Sequence, residues 1–214
     1  MLKNANKNST SRFALLLLTS LTVAIFGVGC SDDEDPTSNE NLTPTQQVEQ
    51  AWNYFEEREY TQALREFEDA LSRDGRLSDA WNGKGWALGK IPNSRLDEAS
   101  FAFARALRED TTRYDALGGW AFAVYHQNDW AGAIRKCDSL LYRRPGWRFL
   151  HESTLNEDDL QLLKAAAHYN LGEYSSSYEI IVEHLNPAFE ADITTPAGRR
   201  ELLDEIERLR RVNG

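Results

Sequence analysis

The chain has almost no cysteine: Cys30 and Cys137 are the only two in 214 residues. That excludes the disulfide framework on which many small secreted folds depend. A basic surplus is also missing. Its 24 lysines and arginines are outnumbered by 34 acidic residues, a formal charge of −10, whereas a nucleic-acid partner requires clustered cations to meet phosphates. Nucleic acid is therefore not expected as a partner. Only one hydrophobic run is long, residues 13–29, and its 17 residues fall short of the roughly 20 that span a bilayer as a helix. Catalytic signatures are absent too. His126, His151, His168 and His184 are scattered and lack the carboxylate spacing of a zinc helix, and there is no glycine-rich phosphate loop, nucleophile elbow or calcium loop. The acidic stretch "HESTLNEDD" precedes "LQLLKAAAHY" and reads as negative charge at a helix N-terminus, which the helix dipole favours. Neither an enzyme nor a metal or cofactor site is expected.

What is present begins with a leader. Lys3, Lys7 and Arg12 precede "FALLLLTSLTVAIFGVG", with no acidic residue before Asp32, the pattern of a secretory signal. The run stops at Gly27-Val28-Gly29-Cys30. This resembles the lipobox of bacterial lipoproteins, although Gly27 stands where that family carries a larger aliphatic residue. The resemblance implies cleavage after residue 29 and acylation of Cys30. Ser31 after the cysteine implies sorting to the outer membrane, on the periplasmic leaflet or the cell surface. Without residues 1–29 the chain keeps 21 basic against 34 acidic residues, a formal charge of −13. Residues 30–44 are acidic and polar with little to bury, as in a disordered tether.

Beyond the tether a pattern recurs. Tyr60, Ala63, Phe67, Ala70 and Leu71 are followed at the same spacings by Leu96, Ala99, Phe103, Ala106 and Leu107. Trp130, Ala133, Cys137, Leu140 and Leu141 repeat them, and Tyr174, Ser177, Ile181, His184 and Leu185 form a degenerate copy. The copies are offset by 36, 34 and 44 residues, the last excess falling in "GWRFLHESTLNE". Each copy has a preceding helical stretch with its own small residue, Ala51, Gly85, Ala121 or Ala165. A period near 34 with two helices per unit indicates a solenoid of helical hairpins.

The motif "AWNGKGWALGK" and the closing Pro145 in "RRPGW" resemble the tetratricopeptide repeat. The resemblance implies an all-α, right-handed solenoid of about four hairpins over residues 45–187, divided as 45–76, 78–112, 114–146 and 158–187. Residues 188–214 supply a capping helix. In it, Thr195 and Pro196 start the helix, Leu202, Leu203, Ile206 and Leu209 form its apolar stripe, and Asp204–Arg208 and Glu207–Arg211 are spaced for ion pairs.

In this repeat family the first helices line a concave groove that selects the partner. Carried over unit by unit, the groove positions are Trp52 and Phe55, Asn82 and Trp86, Phe122 and Tyr125, Leu162 and Tyr169. Trp81, on the small-residue face of the helix that carries Trp86, is assigned to the core instead. The Lys, Arg and Asn set that grips chaperone tails is largely replaced by apolar residues, so that role is not expected. Two functions remain: a membrane-anchored, non-enzymatic adaptor that binds a protein or peptide segment, and a carbohydrate-binding envelope lipoprotein whose rings stack on sugars. A third outcome is that the array closes on itself, or that its tether fills the groove.

Overall fold

The computed structural model describes residues 42–92 and 95–213. The leader, Cys30 and most of the tether lie outside them. The described residues form α1 (Pro44–Glu56), α2 (Tyr60–Arg73), α3 (Ser78–Lys90), α4 (Leu96–Glu109), α5 (Tyr114–His126), α6 (Trp130–Arg143), α7 (Glu157–Asn170), α8 (Tyr174–Ile180) and α9 (Pro196–Asn213). None of these helices is long and apolar enough to cross a membrane. Sequence starts the first helix cleanly: Pro44 opens it, and Thr43 and Gln46 form a reciprocal capping box.

Helices pair as hairpins α1/α2, α3/α4, α5/α6 and α7/α8, each packed on the next. The repeated small and large residues make this packing. Ala63, Phe67 and Ala70 of α2 are fully buried, as are Ala99 and Ala106 of α4, and Ala133, Cys137 and Leu140 of α6. Rings press directly on helix backbone. A Cβ placed on Gly83 would lie 2.1 Å from the Phe67 ring, and one on Gly85 2.6 Å from Phe103. Gly119 of the following unit meets the same Phe103 ring at 2.3 Å. Glycine here is required by close approach, which outweighs its poor helix propensity. Cys137 fills an apolar slot, and burial pushes its thiol up to about 12, so it is an inert packing residue.

The fourth unit departs from the others. Its second helix is α-helical for only seven residues and continues as a π-helical turn over Ile181–Leu185. Ser177 and Ile181 are buried, but His184, where an alanine is usual, is exposed. The wider turn rotates this polar side chain off the packing face. Helix α9 then covers the end. Leu202, Ile206 and Leu209 pack with Leu162, Ala165, Ala166, Ile180 and Ile181, and the Thr195 hydroxyl caps the helix by accepting from the Gly198 amide at 3.0 Å. The ion pairs differ from those expected. Arg200 meets Asp204, Arg208 meets Glu205 and Arg210 meets Glu207. Glu205 also accepts from Asn186 at 2.8 Å, and the Arg208 hydrogen bond holds the Glu205 pKa below the usual range.

Two glycines separate propensity from packing. Gly119→Ala should destabilise the protein by roughly 1–3 kcal/mol through overpacking. Gly89→Ala, where an added Cβ meets nothing within 4 Å, should stabilise it by up to about 1 kcal/mol. Denaturant melts of the two variants should therefore shift in opposite directions, and shifts of the same sign would contradict the ring-on-backbone packing.

Candidate functional site

The side chains expected to line the groove share one face of the array, but that face is not an open aromatic row. Trp52, Phe55, Asn82, Trp86 and Leu162 are buried, with Trp86 only 5% exposed. Phe122, Tyr125 and Tyr169 are half-buried. The chain covers this face itself, from two directions.

The first cover is the insertion between α6 and α7. After Gly146, which adopts φ +72°, residues 147–149 run extended around the bridge at Arg148, and Leu150 and His151 enter a turn, the side chains still alternating between two sides. Trp147 and Phe149 point inward and are buried, whereas Arg148 and Leu150 are exposed. The segment then turns back. The Phe149 amide donates to the Leu155 carbonyl at 2.9 Å, and Arg148 pairs with Asn156 in an antiparallel bridge. Three inward rings meet three places on the face. Trp147 Nε1 donates to Asp115 at 2.7 Å. Phe149 stacks on Trp86 with centroids 4.2 Å apart. His151 lies flat on Trp52 at 3.7 Å, its Nδ1 2.8 Å from a Glu56 carboxylate oxygen. Lys90 and Glu152 form an ion pair at 2.6 Å.

Electrostatics beneath this segment are unusual for a packed core. Burial raises the pKa of Asp115, against the opposing effect of the Trp147 hydrogen bond. Asn82 Oδ1 and Trp86 Nε1 are buried without a hydrogen-bond partner among the described residues. Trp52 Nε1, by contrast, donates to Asp79 at 3.1 Å.

The second cover is α9. Leu162 belongs to its apolar cluster, with Tyr125 and Tyr169 packed against it. The Tyr125 hydroxyl accepts hydrogen bonds from Arg210 and from Asn170. Phe122 stands between the two covers, beside a cavity of about 220 Å³ lined by Trp86, Gly89, Phe122, His126 and Leu155 among others. Burial and the nearby Arg210 lower the pKa of His126.

The structure differs from the sequence expectation in three respects. The face that carries Trp52, Trp86 and Phe122 is occupied by the chain's own residues. Trp147, Phe149, His151 and Asp115 were not singled out, although the alternation in "WRFLH" carries the signal of an extended segment. Trp86, expected in the groove, is a core residue, whereas Trp81, expected in the core, packs against its edge. Trp81 is only half-buried, its Nε1 donating to the Gly75 carbonyl at 2.9 Å and the Arg105 guanidinium 4.9 Å from its ring centroid. Trp86→Ala should accordingly cost about 3–5 kcal/mol, and Trp81→Ala roughly 1–2 kcal/mol for a hydrogen bond and a cation–π contact. Thermal melts should show the Trp86 variant unfolding first; the opposite order would remove Trp86 from the core.

No family model and no curated protein matches the chain. Solved structures do. A tetratricopeptide repeat protein from Parabacteroides merdae is 13% identical with a TM-score of 0.55, over 78% of this chain and 60% of that one. This chain thus spans less than two thirds of that protein's length. YrrB, described as a TPR protein with an unusual peptide-binding site, is 17% identical with a TM-score of 0.55, over 76% of this chain and 84% of that one. MamA is 13% identical with a TM-score of 0.56, over 79% of this chain and 98% of that one. At such identities the likeness is one of fold. Repeated hairpins, a common register of small and large residues, and these neighbours lead to one conclusion: the chain has the tetratricopeptide-repeat fold.

Proposed function

We propose that this chain is a non-enzymatic adaptor, anchored to a bacterial envelope membrane through acylated Cys30, that holds a protein or peptide segment on the inner face of its repeats. The observation that carries the reading is the opening at Phe122. There Phe122 and the edge of Trp86 border a cavity, and its volume of about 220 Å³ lies below the 300–1,000 Å³ typical of small-molecule pockets. That size suits one bulky apolar side chain of a bound segment. Burial of Trp52 and Trp86 under His151 and Phe149 removes the ring faces a sugar would stack on, so a protein segment is favoured over a glycan. The peptide-binding site named for YrrB gives this use of the fold a precedent.

Peptides selected by display against the full chain test the site. Phe122→Ala should weaken their binding by about 2 kcal/mol or more. Gly89→Leu, which projects into open space at the cavity mouth, should block binding without lowering the melting temperature. Binding unaffected by both changes would overturn the site. For the anchor, Cys30→Ser should accumulate as uncleaved precursor without incorporated palmitate, because stable anchoring requires the acyl chains. Normal maturation and labelling of that variant would refute it.

A further inference from the structure

We propose that residues 147–151 are a built-in ligand, and that the partner segment for this part of the inner face is a short extended stretch ending in a turn, with aromatic side chains at alternate positions. This rests on the adaptor reading and names the chemistry of its partner. Trp147, Phe149 and His151 each occupy a separate place, formed by Asp115, Trp86 and Trp52 respectively. The intervening Arg148 and Leu150 face outward, with Leu150 78% exposed. Alternate side chains in pockets and the others in solvent is how an extended peptide is read; residues 147–149 are held so, and the turn at Leu150 and His151 delivers the third ring.

The segment is seated by side chains alone. Among the described residues, its backbone bonds only within its own loop, through Phe149 to Leu155 and Leu155 to Glu152, and donates nothing to the backbone of α1, α3 or α5. Its interface is also imperfect. Trp86 Nε1, under Phe149, and Asn82 Oδ1, one turn earlier on the same helix, have no hydrogen-bond partner among the described residues, and such buried groups carry a desolvation cost. Water reaching them when the segment leaves would lower the cost of opening. A covalently attached occupant competes at high effective concentration, so an external segment binds only as tightly as the open fraction allows. The partner therefore resembles the occupant: a ring bearing an N–H donor for Asp115, a flat ring for Trp86, a ring or imidazole for Trp52, and an acidic residue next in line for Lys90.

A fluorescein-labelled peptide of residues 145–157, PGWRFLHESTLNE, titrated into the full chain supplies the probe. Combined Phe149→Ala and His151→Ala substitutions should raise its affinity at least about tenfold over the unsubstituted chain. The same peptide with alanine at its three ring positions should not bind. A doubly substituted chain that keeps its helical circular dichroism yet binds no peptide overturns the proposal. Because that variant could lose its fold, a protease site placed at the exposed Ser153 and Thr154 gives a second reading. After cleavage, excess labelled peptide should exchange into the folded protein, and absence of exchange overturns the proposal as well. If these tests fail while display-selected peptides still depend on Phe122, the built-in ligand falls and the adaptor stands. If Phe122 is indifferent while the peptide exchanges, the cavity falls instead.

Discussion

Everything in the array depends on how closely a ring can approach a helix with no side chain in the way. Phe103 touches the backbone of two successive first helices, at Gly85 and at Gly119, so a single side chain sets the distance between the second and third units. Phe67 does the same against Gly83. These contacts tolerate no added methyl group, and they sit where interior packing is densest. Once they fix the stacking, the side chains of α1, α3 and α5 fall on one face in register, and Trp52, Trp86 and Phe122 become neighbours although each lies more than thirty residues from the next.

A row of large rings brought together in this way is costly to leave in water. Burial of such a side chain contributes on the order of 1.5–3 kcal/mol, and the chain obtains it twice. Residues 147–151 cover the first two units' rings, and α9 covers the fourth's. Between them the half-buried Phe122 is left beside a cavity. The polar groups under the insertion are treated less completely. Asp115 and Trp52 find partners, while Trp86 Nε1 and Asn82 Oδ1 do not. A surface optimised only for permanent burial would have replaced such groups or satisfied them.

The repeat register of the first three units was legible in the sequence, because it is a matter of spacing. Ala63, Phe67 and Ala70 and their counterparts at Ala99, Phe103 and Ala106 are all buried where the period places them. Less legible was what the inner face contacts. A periodic argument assigns faces within a helix, and "GWRFLHESTLNE" interrupts the period, so it reads as an insertion with no partner. Its alternation marks an extended segment, but the place where that segment docks is a tertiary fact. The placement of Trp86 has the same origin: both tryptophans sit on apolar flanks of α3, and Phe103, Gly119 and Phe149, all from other elements, make the Trp86 flank interior. The ion pairs of α9 shifted for a different reason. Spacing permits i,i+3 and i,i+4 pairs equally, and Arg208 takes Glu205, which Asn186 from outside the helix also contacts, while Asp204 pairs with Arg200.

Stacked repeats ordinarily interact with their immediate neighbours alone, so their stability is a sum of local terms and they fray from either end. The hydrogen bond between His151 and Glu56 joins residues 95 positions apart in sequence, and with Phe149 against Phe55 it fastens the segment after the third hairpin to the first helix of the array. That clasp turns a one-dimensional chain of modules into a closed loop of contacts. Its first hairpin cannot peel away without also releasing the insertion. The same long-range closure raises the contact order, which slows folding relative to an open array of equal length.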